Sequence, residues 1–275
     1  MKKLKIIFIS LAIIIINCQI ISGSQAQNPY TEKVICPVLT YHDVRLDASC
    51  TNDWTVCAEK FENDIKQLTE NGYTPIFTKE LIDSYNGKYK LPEKPVIIQF
   101  DDGYQSFFNI VYPILYKYNV KAEVYIITDY TKDIPYVNNT DTFLSWPQLK
   151  IMSDSGLVYI GLHGKTHKAV IGNDFTKEKL QNDFDAAWKE IETHLGSQPH
   201  YYVYPNGLFN QETLKNLTDS GAQMQFIWVW NLSNNVKNYN VLPRANIDKN
   251  QDIISSIEYF NNALNIKTKY KSYSK

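Results

Sequence analysis

Two adjacent carboxylates close an apolar run in Gln99-Phe100-Asp101-Asp102-Gly103, and two imidazoles follow further along in His163-Gly164-Lys165-Thr166-His167. Two imidazoles and one carboxylate form a ligand set for a hydrolytic metal site with an open coordination position. The second carboxylate is left over as a base for water. The set suits one divalent ion of the Zn²⁺ type, with other borderline divalent ions also compatible. Adjacent aspartates cannot both point at one ion without strain, so the expected division assigns Asp102 to the metal and Asp101 to the proton. Taken alone, Asp-Asp-Gly is a strand-to-turn signal, and a pair of histidines could be surface neighbours. Here each element follows a strand-like run, and Gly164 and Thr166 are poor helix formers, so a loop presenting both imidazoles to one ion is the better reading.

Separate segments must converge for this to work. Runs rich in β-branched and aromatic residues recur at Val34-Thr40, Tyr73-Phe77, Pro95-Phe100, Ala122-Ile127, Leu157-Leu162, Tyr201-Tyr204 and Met224-Trp230, each reading as a buried strand. Between them, helical spacing is found at Phe61, Ile65 and Leu68 and at Phe107, Ile110, Ile114 and Leu115. Further helices are expected at Trp146 to Ser155, Lys177 to Leu195, Gln211 to Ser220 and Asp252 to Leu264. Strands alternating with helices argue for a parallel sheet, most simply an α/β fold closed as a (β/α) barrel, whose active sites gather at the carboxyl ends of the strands. Asp101, His163 and Asn206 each follow such a strand.

These residues resemble the signature of the polysaccharide deacetylases of carbohydrate esterase family four, the NodB-homology domain, in Phe100-Asp101-Asp102-Gly103 and His163-x-x-x-His167. Tyr41-His42-Asp43-Val44, Trp54-Thr55-Val56, Tyr204-Pro205-Asn206-Gly207 and Leu242-Pro243-Arg244 fall in the order seen in a circularly permuted branch that includes biofilm poly-N-acetylglucosamine deacetylases. The resemblance spans roughly residues 34 to 250. It implies a single distorted (β/α) barrel over 34–266 that removes N-acetyl groups from an acetylated polysaccharide and releases acetate. It also implies that Asp101 is the base, that Asp102, His163 and His167 hold the metal, and that the backbone N–H at Asn206 meets the oxyanion. The wider family takes its catalytic acid from a Leu-x-His motif near the carboxyl end, but the last histidine here is His200. The permuted branch takes it from the first strand, which points to His42. Asn206 stands where an aromatic residue is usual, and Gly164 replaces the usual Ser or Thr, a change expected to loosen the metal loop.

Arg244 is expected to pair with Asp101 and lower its pKa. Among the aromatics, Tyr104 and Trp146 are expected beside the active face as sugar platforms, whereas Trp228 and Trp230 read as core. His194 reads as a helix-end residue, and His200 is expected at the end of the barrel opposite the chemistry.

Lys2, Lys3 and Lys5 precede an apolar run from Ile6 to Ile16 broken only by Ser10, a secretory signal pattern with cleavage expected after Ala26. A rival reading is a lipoprotein box at Ile15-Ile16-Asn17-Cys18 with a lipid on Cys18, and a third is an uncleaved anchor. The protein is thus expected outside the cytoplasm, secreted or associated with the cell surface or membrane. Removing residues 1–26 takes the formal charge from −1 to −4, which excludes nucleic acid as a partner; a monomer is expected. Residues 267–275 carry four lysines and no acids and read as a disordered basic tail. Cys50 and Cys57 are the spacing-compatible disulfide pair, with Cys36 left in a strand; three reduced cysteines are the alternative. Rival functions are an O-acetyl (xylan) esterase, a deacetylase of peptidoglycan or chitin oligomers, and a non-catalytic carbohydrate-binding wall protein. No His-Glu-x-x-His helix supports a metallopeptidase.

Overall fold

The computed structural model describes residues 36–46, 52–135, 142–168, 176–196, 200–228 and 240–269. The signal segment 1–26 with Cys18, and also Cys50, Trp230 and residues 270–275, lie outside the described residues. In chain order the first elements are β1 (Val38–Tyr41), β2 (Asp43–Arg45), β3 (Thr55–Cys57), α1 (Ala58–Glu70), β4 (Thr74–Pro75), α2 (Thr78–Tyr85) and β5 (Pro95–Phe100). A π-helical turn (Phe107–Val111) leads into α3 (Tyr112–Tyr118), followed by β6 (Ala122–Ile126), α4 (Trp146–Asp154), β7 (Val158–Leu162) and α5 (Lys177–Leu195). The chain continues with β8 (Tyr201–Val203), α6 (Gln211–Asp219), β9 (Met224–Trp228), β10 (Val241–Asn246) and α7 (Ile253–Lys269).

Seven parallel strands run β1-β10-β9-β8-β7-β6-β5, and β5 pairs back onto β1, closing the barrel; β4 adds to the edge of β5. Side chains alternate across each strand. One set, including Val38, Ile97, Tyr159, Tyr201 and Phe226, packs together inside the barrel, while Leu39, Ile98, Val124, Ile160 and their neighbours pack outward in the same cluster as helix residues such as Phe61, Leu149 and Phe184. β2 and β3 form a separate two-stranded parallel sheet that brings Arg45 and Trp54 to the mouth of the barrel.

Two barrel-forming features differ from the sequence expectation. β10 was not expected as a strand because Pro243 and Arg244 interrupt its apolar pattern. It pairs with β9 through Val241 to Arg244 but with β1 only through Ala245 and Asn246, so the missing proline N–H falls where one neighbour is not engaged. α2 was also missed. Its N-cap, Phe77, has no capping side chain; instead Glu80 reaches back to accept from the Phe77 N–H at 2.9 Å. α7 continues to Lys269, so residues 267–269 of the expected tail are helical. Cys36 is buried and free, just ahead of β1, and Cys57 is disulfide-bonded. Among the described residues no helix is long and apolar enough to cross a membrane.

Candidate active site

β5 ends at Phe100, and its interior-facing alternation continues one residue further to Asp101, whose side chain is 2% exposed. Arg244, from the middle of β10, reaches it with two bonds: Nη1 donates to Oδ1 at 2.7 Å and Nη2 to Oδ2 at 2.8 Å. Burial pushes the Asp101 carboxyl up, but Arg244 and then His163 outweigh it and hold the group at about 2. Asp101 is therefore ionised throughout the neutral range.

Asp102 adopts φ 70° and Gly103 φ 73°. This left-handed pair turns the chain sharply, so the neighbouring carboxylates diverge instead of competing for one point. Asp102 Oδ1 lies 3.5 Å from Nε2 of His163 and 3.5 Å from Nε2 of His167. The three donor atoms lie within 4.8 Å of one another.

The imidazoles are prepared as ligands. His163 Nδ1 lies 3.0 Å from the Val203 carbonyl; a carbonyl only accepts, so Nδ1 carries the proton and the Nε2 lone pair faces Asp102. Burial lowers the pKa of both His163 and His167, favouring the neutral form that metal binding requires, and raises that of Asp102. A carboxylate pushed up by burial between two neutral nitrogen donors fits a divalent cation of the Zn²⁺ type. The Tyr104 hydroxyl also bonds to Asp102, and burial and that carboxylate push the phenol up to about 12.

The loop carrying His163 and His167 is anchored, not loosened, at Gly164. That glycine has φ +83°, and a Cβ there would crowd Asp183 Oδ2 at 3.3 Å. Asp183 on α5 accepts from the Lys165 N–H at 2.8 Å and from Thr166 Oγ1 at 3.2 Å, while Lys165 Nζ pairs with Asp129 and Glu190. The sequence reading missed Asp183, since nothing in its helical context distinguishes it from a solvated acid.

The remaining expected residues divide between cleft and core. An open cleft of about 620 Å³ is lined by Asp101, Asp102, His163 and His167 and also by His42, Tyr104 and Asn206. His42 Nε2 stands 3.8 Å from Asp101 Oδ2, beyond hydrogen-bond reach, and burial lowers this imidazole to about 4. Asn206 takes φ 56° and ψ 13°, a left-handed conformation that Asn tolerates better than an aromatic residue, which gives its presence a physical reason. Trp146 is not in the cleft. It is 6% exposed and stacks on His194 at 4.2 Å, so it belongs to the packing between α4 and α5. Trp228, expected in the core, is 6% exposed and so as buried as Trp146, but as the last residue of β9 its edge also lines the cleft with Trp54, and its ring lies 4.6 Å from the Arg244 guanidinium. Its position at a strand's carboxyl end was the available signal. His200, just before β8 at the other end of the barrel, packs on Trp188.

Comparisons with known proteins agree with this geometry. The Polysaccharide deacetylase family model matches residues 88–225. YxkH of Bacillus subtilis (strain 168), which carries a polysaccharide deacetylase name, is 32% identical over 188 residues, covering 68% of this chain and 62% of that protein. The poly-β-1,6-N-acetyl-D-glucosamine N-deacetylase of Escherichia coli (strain K12) is 25% identical over 78% of this chain but only 37% of its own length. The chain thus spans less than two thirds of these relatives. Among solved structures, a de-N-acetylase from Aggregatibacter actinomycetemcomitans is 28% identical, with a TM-score of 0.69 over 82% of this chain and 98% of that one. With its closed parallel barrel, its Asp-Asp turn and its paired histidines on one face, the chain belongs to the polysaccharide deacetylase family.

Proposed function

We propose that the protein hydrolyses N-acetyl groups on an extracellular amino-sugar glycan of the poly-N-acetylglucosamine type, releasing acetate. The observation that carries this reading is the separation of the two carboxylates. Asp102 joins His163 and His167, while Asp101 is held beside them by Arg244 and left out of the ligand set. A lectin has no need of such a base. The names of relatives in Escherichia coli and Staphylococcus epidermidis support the glycan assignment.

Asp102, His163 and His167 would hold a divalent ion, read here as Zn²⁺, whose chemistry there would be to polarise the acetyl carbonyl and lower the pKa of water. Asp101 takes the proton from the attacking water. The backbone N–H of Asn206 faces the carbonyl oxygen as negative charge develops there. The amine nitrogen leaves only once protonated, and His42 delivers that proton. Since its imidazole rests neutral, the proton must arrive after substrate binds; the proton that Asp101 has taken is its source, and the 3.8 Å gap between the two groups must close for the transfer. Trp54 and Trp228 flank His42 at ring-centroid distances of 4.6 and 6.3 Å. With Tyr104 they offer apolar faces to the sugar rings. Residues 1–26 are read as the export signal, and the enzyme as a monomer.

The test is to incubate the metal-loaded protein with defined N-acetylated and O-acetylated oligosaccharides and to measure acetate and free amine together. Equal amounts of both support N-deacetylation; acetate without amine would make the protein an O-esterase.

A further inference from the structure

One buried carboxylate takes no part in the chemistry described above. Glu123, on β6, is fully buried inside the barrel, with apolar Tyr159, Tyr201 and Phe226 nearby in the same interior. It accepts four hydrogen bonds: from the Thr78 N–H at 2.7 Å, Thr78 Oγ1 at 2.9 Å, Gln99 Nε2 at 2.9 Å and the Tyr125 hydroxyl at 2.8 Å. Placing a carboxylate in such a site is costly unless its partners are specified, and the fold specifies them. The Tyr125 ring occupies the space that a Cβ on Gly161 would fill. α2 begins at Thr78, and so directs its first N–H at Glu123.

The consequence lies on the neighbouring strand, at Gln99, the register partner of Glu123. Its Nε2 is committed to Glu123 and to the Tyr125 hydroxyl at 3.1 Å. An amide has one donor end and one acceptor end, so Oε1 must face the other way, toward Arg244 Nη1 at 3.5 Å. Without a carboxylate at position 123 the amide keeps only the Tyr125 hydroxyl, which can donate as well as accept and so no longer fixes which end of the amide faces it; with the amide turned, its NH₂ would meet the guanidinium donor to donor. Arg244 Nη1 is the same atom that bonds Asp101 Oδ1.

We propose that Glu123, acting through Gln99, is a positioning residue that fixes the orientation of Arg244 and hence of the Asp101 base. This rests on the deacetylase reading for its kinetic consequences but not for its geometry. Glu123→Leu in the metal-loaded protein should lower kcat about tenfold while KM stays within about twofold. Glu123→Gln keeps an acceptor for Gln99 and should recover most of that loss. The effect should also disappear in an Arg244→Gln background, where a further Glu123→Leu costs less than about twofold because the residue acts only through Arg244. If the two losses multiply in full, or if KM rises in place of a fall in kcat, Glu123 is structural and the proposal is wrong. Should Glu123→Leu not fold, Gln99→Met breaks the same link from the other side and leaves Glu123 its Thr78 and Tyr125 donors; the same kinetics and the same cycle apply. A crystal structure of either variant separates this proposal from the functional one. Arg244 displaced from its two-bond pairing supports positioning even if no acetate is ever released, and an undisturbed pairing overturns it even in an active enzyme.

Discussion

Arg244 and Asp101 are 143 residues apart in the chain and meet inside the barrel through two parallel hydrogen bonds of 2.7 and 2.8 Å. The contact exists because β10 inserts between β9 and β1, bringing the interior face of the last strand to the side of β5. An ion pair this deeply buried carries a desolvation cost that only good geometry offsets. Its two-point geometry fixes both the charge and the direction of the carboxylate that we assign as base.

Replacing Arg244 by Gln should therefore be visible in pH. The pairing holds Asp101 at about 2, below its ordinary 3.8. A depressed carboxyl contributes stability that is fully present above the unfolded value, near 4, and is lost as pH falls from there through 2. In Arg244→Gln, burial is no longer countered by the guanidinium, so the carboxyl titrates at higher pH. The acid limb of kcat should move upward, and stability at neutral pH should fall by about 3 kcal/mol. Rate profiles and thermal melts across pH check both; an unmoved acid limb would show that Arg244 does not tune the base.

Asp183 holds the loop that presents His163 and His167. Asp183→Ala should weaken divalent-ion affinity by about tenfold or more, by calorimetric titration, with kcat restored at saturating ion. Unchanged affinity would mean that the loop needs no support from α5.

If His42 supplies the proton to the leaving group, the penalty of His42→Ala depends on what leaves. On an N-acetylated oligosaccharide the loss should be on the order of 10²-fold or more. On an aryl acetate, whose phenoxide departs without protonation, the loss should be far smaller. Equal losses on the two substrates would remove His42 from the acid role.

Gly207 has φ +64°, and a Cβ there would collide with the Trp228 indole. Gly207→Ala should displace Trp228 from the cleft wall and from Arg244, raising KM for oligosaccharide and costing roughly 1–3 kcal/mol of stability. Steady-state kinetics and melting temperature read both effects, and a variant with wild-type KM would show that Trp228 is no part of the sugar site.

Much of this was legible in the residues. The Asp-Asp and His-x-x-x-His spacing marked residues that the fold brings within reach of one ion, because chemistry restricts which residues can serve such a site, and the strand runs ended where these residues line one cleft. Local pattern failed where tertiary context decides. β10 contains Pro243 and a buried arginine, which resemble a strand only once β9 and β1 are in place. Trp146 opens a helix and Trp228 closes a strand, and both are buried; only packing decides that one stacks on His194 while the other edges the cleft. Asp183 has the context of an ordinary solvated helix acid, and Glu123, although it falls in the buried strand run Ala122-Ile127, carries no local sign of its partners, which come from distant elements.

If the adjacent carboxylates do different work, Asp101→Asn separates their roles when bound metal and acetate release are measured on the same sample. The variant should bind one divalent ion per chain about as tightly as the wild type, with acetate release reduced by about 10³-fold or more. An Asp101→Asn protein that still releases acetate at the wild-type rate, or one that has lost its metal, would contradict that division of roles.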